Sequence, residues 1–125
     1  LTNPGDFKGI KFRGMGPLQV NMFESLGGSA VPIAWPEVYT SLQTGVVDGQ
    51  TNPPHIINSF KIYEVQKYLT LSNSSYPYQF WVASKTWFDG LADQDKELVL
   101  WASKVGAATA RMMSMVGDQQ AIKDT

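Results

Sequence analysis

The sequence predicts an α/β fold. Short alternating or β-branched segments separate segments with helical spacing, in the order strand-helix-strand-helix-strand-helix-strand. Glycine and proline punctuate nearly every junction. The composition can fill a core: 43% of residues are hydrophobic, including six Phe, five Tyr and four Trp, and only 17% are charged. That balance belongs to a globular chain rather than a disordered one. At 125 residues the chain holds one domain, or one lobe of something larger.

The elements follow in order. Asp6-Phe7-Lys8-Gly9 reads as a turn into a strand. Gly9 to Arg13 alternates apolar and polar, with Ile10 and Phe12 on one face and Lys11 and Arg13 on the other. Gly14-Met15-Gly16-Pro17 breaks the strand. Leu18, Met22 and Leu26 form an apolar stripe at every fourth residue, and Gly27-Gly28 stops that helix. Ser29 to Ala34 reads as a strand that Pro32 confines to an edge or a bend. Trp35-Pro36-Glu37 opens a helix through Tyr39 and Leu42 to Gly45, with proline in the first turn and an acid at the positive end of the dipole. Val46 to Gln50 is a very short strand, and Thr51-Asn52-Pro53-Pro54 a loop. A helix from Pro54 through Ile56, Ile57, Phe60 and Tyr63 follows. Tyr68 to Leu71 reads as a strand, and the polar loop that follows makes 71–78 the expected crossover between lobes. Tyr78 to Ser84 is the strongest strand signal in the chain. Lys85 to Leu91 is a short helical turn. Asp93 then caps a long helix to Thr125, in which Leu98, Trp101, Val105, Ala108, Met112 and Met115 step by three and four. It runs out without a Gly or Pro stop, so a chain cut from a longer protein is expected.

Several function classes are excluded. Ten basic against eleven acidic residues, a formal charge of −1, argue against a nucleic-acid face and a polybasic membrane anchor. With no cysteine there is no disulfide, zinc-thiolate site, iron–sulfur cluster or thiol nucleophile. No run approaches the roughly 18 apolar residues of a membrane span, and Leu1 to Asp6 is not a signal peptide. Dinucleotide, P-loop and nucleophile-elbow motifs are missing. The single histidine, His55, sits beside two prolines with no nucleophile near it in sequence, and reads as an exposed or capping loop residue. Glu37, Asp48 and Glu64 are too scattered to promise a metal site, and no cofactor is expected.

Three residues remain. Arg13, at a strand end before Gly14-Met15-Gly16, is either a solvated edge arginine or a guanidinium that holds a carboxylate with two parallel hydrogen bonds. In open α/β sheets ligands bind beyond the carboxyl ends of strands. Asn52 is either a turn residue or an amide that both donates to and accepts from a ligand. Trp35 is either core packing or a lid over a ligand.

A family resemblance bears on all three. Asp6 to Arg13 (DFKGIKFR) resembles the "DLKGLKIR" opening of solute-binding proteins of TRAP transporters, DctP type. Glu37 to Pro53 (EVYTSLQTGVVDGQTNP) is similar to that family's "E-x-Y-x-A-L-Q-x-G-x-V-D-G-Q-E-N-P". Tyr63 to Leu69 (YEVQKYL) and Ser84-Lys85-x-Trp87-Phe88-x-x-Leu91 match further motifs. The resemblance implies the central portion, 1–125, of a two-lobed periplasmic-binding-protein-like fold with mixed sheets and a long helix. It implies a periplasmic, non-enzymatic protein, monomeric at full length, that captures a small organic acid anion and hands it to TRAP transporter membrane subunits. A ligand-sensing domain of the same architecture is the alternative. By position, the resemblance gives Arg13 the ligand-carboxylate salt bridge, Asn52 a ligand contact and Trp35 a place in the pocket lining. Thr51 in place of Glu, Pro54-His55-Ile56, and Gly14-Met15-Gly16 depart from the family pattern. These departures fall in loops near the cleft and bear on ligand identity rather than binding mode.

Overall fold

A computed structural model of the chain describes residues 1–74 and 78–124. A 3-10 turn, Pro4–Phe7, leads into strand β1, Lys11–Gly14. Helix α1, Pro17–Ser25, crosses to β2, Ser29–Pro32, which pairs parallel with β1 in the register Lys11–Ser29 to Gly14–Pro32. A 3-10 turn at Trp35–Glu37 runs directly into α2, Val38–Gln43. The chain then returns to the free edge of β1, where Phe12 and Gly49 form a parallel bridge. Three parallel rungs therefore lie in the order Gly49, β1, β2. Helix α3, Pro54–Ser59, a 3-10 turn at Ile62–Glu64, helix α4, Lys85–Asp89, and helix α5, Asp93–Asp124, complete the described elements.

The sheet separates two packed clusters, as expected when a parallel crossover covers both faces. On one side Phe12 stacks on Phe23 of α1, with ring centroids 4.2 Å apart, and Phe7 joins at 5.4 Å from Phe12. On the other, Val38 and Leu42 of α2 pack with Val47, Ile57 and Ile62. Two glycines permit this closeness. A Cβ on Gly49 would sit 2.9 Å from the Phe12 ring, and one on Gly14 would sit 2.9 Å from Val20 of α1.

Several expectations are corrected. The face of β1 that carries Arg13 is buried, because turn and loop residues after β2 cover it, so the strand is not half-exposed at this end. In α1, Phe23 is the buried residue and Leu18 is 84% exposed, so the every-fourth stripe misplaces the inward face by one position. The helix opening at Pro54 stops at Ser59, where Phe60 and the left-handed Lys61 (φ 54°) turn the chain. Tyr68 to Leu71 and Tyr78 to Ser84 form no strand among the described residues. Neither segment pairs with a sheet edge, and a strand is stable only when its backbone groups are paired. Phe80, Trp81 and Val82 are consequently exposed. The expected crossover at 71–78 falls partly on residues 75–77, and the expected helix end on Thr125, both outside the described residues.

Helix α5 is the long amphipathic helix expected, 32 residues. Its apolar stripe is mostly uncovered: Leu98, Trp101, Met112 and Met115 are exposed. It touches neighbours at two bare points. The Trp81 ring lies so close to Gly106 that a Cβ there would be 2.6 Å from it, and Gly117 faces His55 of α3.

Candidate functional site

The three residues singled out in the sequence each stand at or just beyond the carboxyl end of one parallel rung. Arg13 is the penultimate residue of β1, Trp35 follows β2 by three residues, and Asn52 follows the Gly49 bridge by three. This is where an open α/β sheet leaves its crevice.

Arg13 is 3% exposed. Its backbone N–H donates to Gly49 O at 2.8 Å and its Nε donates to Ile33 O at 3.0 Å, so both flanking rungs hold it. Its Cζ lies 5.8 Å from the centre of the Trp35 ring, a cation–π contact. Its Nη1 is buried without a hydrogen-bond partner, and no carboxylate among the described residues forms an ion pair with it. Burial pushes its pKa below the ordinary guanidinium value, which starts so high that the group stays charged. With Nε engaged by Ile33 O, Nη1 is a donor left without a partner in the structure.

Trp35 is half-buried, its ring edge-to-face with Phe60 at 4.9 Å. Beside it opens an apolar recess of about 380 Å³ lined by Trp35, Pro36, Val38, Tyr39, Phe60 and Ile62. Asn52 is half-buried, and its Nδ2 donates to Gln50 Oε1, which orients the amide.

The loop that delivers Asn52 is tied to β1 by Asp48. Lys11 N–H donates to Asp48 Oδ2 at 2.8 Å, and Asp48 N–H donates to Lys11 O at 2.7 Å. Gln66 Nε2 reaches back to Asp48 O at 3.1 Å, and Tyr39 Oη donates to Glu64 Oε2 at 2.9 Å. That bond holds the phenol in its protonated form and raises its pKa. The Tyr63-Glu64-Val65-Gln66 segment is thus a strap behind the loop. Asp48 is occupied in structure, Glu37 is exposed on its turn, and no group of three potential metal ligands occurs among the described residues.

Sequence reasoning missed Gln50, Phe60, the Ile33 carbonyl and the partner of His55. Gln50 lies inside the Asp-Gly-Gln block and was within reach. A backbone carbonyl carries no residue-type signal. The reading of His55 as an exposed or capping loop residue is corrected: it is half-buried in the first turn of α3, with Nδ1 2.6 Å from Asp118 Oδ1.

These strands and strand ends define an α/β unit built on a short parallel sheet. Residues 1–124 match the family model for bacterial extracellular solute-binding protein, family 7, DctP. The chain belongs to that family. It is 37% identical over 125 residues to a solute-binding protein of Verminephrobacter eiseniae, covering 99% of this chain and 37% of that protein. It is 37% identical to the ectoine/5-hydroxyectoine-binding periplasmic protein UehA of Ruegeria pomeroyi, covering 100% and 36%. Among solved structures, a TRAP periplasmic solute-binding protein from Polaromonas sp. JS666 bound to D-erythronate superposes with a TM-score of 0.89 at 30% identity, covering 98% of this chain and 41% of that one. One from Sulfitobacter sp. NAS-14.1 with bound β-D-galacturonate gives 0.85 at 34%, with coverage of 98% and 41%. The chain therefore spans about two-fifths of the length of its relatives.

Proposed function

We propose that this chain supplies the anion-holding wall of an extracytoplasmic solute-binding protein, which captures a small organic acid and delivers it to the membrane subunits of a TRAP-type transporter. The observation that carries the reading is Arg13: a charge almost wholly removed from water, with one donor nitrogen unpartnered. Leaving a buried charge uncompensated costs of order several kcal/mol. A ligand carboxylate offset against it regains that free energy at the moment of binding.

The family resemblance and the placement of these residues at the rung ends support three roles. Arg13 grips the carboxylate, Asn52 answers a second polar group, and Trp35 covers the pair and excludes water. Similar proteins are named for ligands of one chemistry. Structures contain D-erythronate, β-D-galacturonate and succinate, and curated relatives are called sialic acid-binding and C4-dicarboxylate-binding proteins. Each of these ligands carries a carboxylate. Relatives are also named as periplasmic, which supports a place outside the cytoplasmic membrane; on this reading the full-length protein works as a monomer that docks on its permease. The family consists of binding proteins for transport, and no bond is made or broken under this reading.

The test is titration calorimetry of the full-length protein with D-galacturonate, D-erythronate, succinate and a neutral sugar, in wild type and Arg13→Ala. Acids that bind wild type and are lost in the variant support the reading. Equal affinity in both would sink it.

A further inference from the structure

Helix α3 lacks a cap of its own. It begins at Pro53-Pro54, with proline at the N-cap and again at the first helical position. The cap proline offers no side-chain acceptor, and Pro54 has no N–H. The first free amide is that of His55, and it is met from a distant part of the chain. Asp118 Oδ1, on α5, accepts from His55 N–H at 2.9 Å and lies 2.6 Å from Nδ1 of the same residue. The preceding residue makes room: a Cβ on Gly117 would be 3.3 Å from His55 Cβ, tighter than ordinary contact. Ala121, one turn further along α5, is buried. Gly117 and Asp118 together form a seat for the first turn of α3.

That turn starts two positions after Asn52, and the connection is two prolines with φ restricted by their rings. We propose that Asp118, with Gly117, is a positioning residue for ligand binding: α5 fixes the start of α3 and, through Pro53-Pro54, the aim of the Asn52 amide. The proposal rests on the reading of Asn52 as a ligand contact. A local cap would hold the loop's shape wherever α5 went. A cap borrowed from α5 makes the Asn52 loop answer to the placement of the long helix, so occupancy of the cleft and position of α5 are linked through one carboxylate.

The test uses the full-length protein, with Asp118→Ala, Asp118→Asn and Gly117→Leu. Amide exchange at His55 should rise roughly five- to tenfold in Asp118→Ala, the size of a lost cap. The Asn52 side-chain NH2 resonances, assigned through Asn52→Ala, should shift. A clasp that only stabilised α3 would leave those resonances in place. Asp118→Asn keeps an oxygen acceptor for His55 N–H and Nδ1–H and should restore both readouts. Gly117→Leu introduces a strong helix former in α5 but fills the space of His55, so it should behave like Asp118→Ala, and it serves if that variant does not fold. In titrations with D-galacturonate, D-erythronate and succinate, Asp118→Ala should weaken acid binding, and its loss should not add to that of Asn52→Ala. Unchanged exchange, unmoved Asn52 resonances or additive losses would each overturn the proposal. Acid affinity retained in Arg13→Ala would instead defeat the carboxylate reading and leave the exchange result standing.

Discussion

At the scale of single residues, Arg13 carries the greatest consequence. Because its charge is buried without a counter-charge, its removal should harm binding and spare the fold. Arg13→Met, an apolar side chain of similar length, is expected to melt at or above the wild-type temperature without ligand, since an uncompensated buried charge is lost. The same variant should lose roughly 2–5 kcal/mol of acid affinity, the range for truncating one partner of a buried charge pair. Arg13→Lys should restore only part, because an ammonium lacks the planar fork and the Nε–H that Ile33 O accepts. Calorimetry paired with thermal melts separates the two effects; a variant that loses stability and binding together would contradict this division. Asn52→Ala should cost less, about 1 kcal/mol for a neutral hydrogen-bonding group. Arg13 and Asn52 can be singled out in sequence because a strand-end arginine and a loop asparagine stand out in recognisable blocks, and their position at or just beyond the rung ends follows from that order. The burial of Arg13 was not legible there. Alternation placed it opposite Phe12, on a face that reads as solvent unless the coverage by Ile33 and Trp35 is known.

At the scale of elements, the rungs were legible where local pattern and tertiary partner agree. Strand β1, helices α1 and α2 and the start of α3 fall within a few residues of their expected bounds, because proline and glycine mark their ends chemically. Tyr78 to Ser84 shows the opposite case. Its pattern is as β-like as any in the chain, yet pairing is a property of two segments, and only one of them can be read locally. Phe12 and Gly49 give a sharp test of the third rung. Gly49→Ala would press a methyl into the Phe12 ring, and overpacking of this kind costs typically about 1–3 kcal/mol. A denaturant melt should show that loss, and acid affinity should fall with it because the rung carries the Asn52 loop. The turn before β1 has a pH signature. Asp6 Oδ2 accepts from the N–H groups of Thr2 and Asn3, which hold its carboxyl below the usual carboxylate range. A depressed folded pKa stabilises the turn above the ordinary value of about 3.9 and loses that contribution as pH falls through the lowered one. Amide shifts of Thr2 and Asn3 should therefore titrate with a midpoint below that of a short model peptide, and Asp6→Asn should abolish the step.

At the scale of the whole molecule, the buried hydrophobic residues concentrate around the sheet and α2, while Phe80, Trp81, Val82 and much of the apolar stripe of α5 stay uncovered. Surfaces of that kind seek a partner. Prepared alone, the 125-residue chain is expected to self-associate at micromolar concentration and to bind a hydrophobic dye, as read by light scattering and fluorescence. Full-length protein should do neither; a monodisperse, dye-silent isolated chain would show that these faces are covered by other means. The long helix was plain in sequence, from its steps of three and four. Its attachments were not, because they are made by a glycine beneath an indole and by an aspartate far along the chain from its histidine, neither of which leaves a periodic trace. One of those attachments supplies an optical handle. An indole resting on bare helical backbone emits according to how much water reaches it, and Gly106 leaves no side chain to shield Trp81 if the two separate. With Trp35, Trp87 and Trp101 replaced by Phe, the emission colour of Trp81 becomes a gauge of the spacing between α5 and the 78–84 segment, readable in solution without attaching a dye.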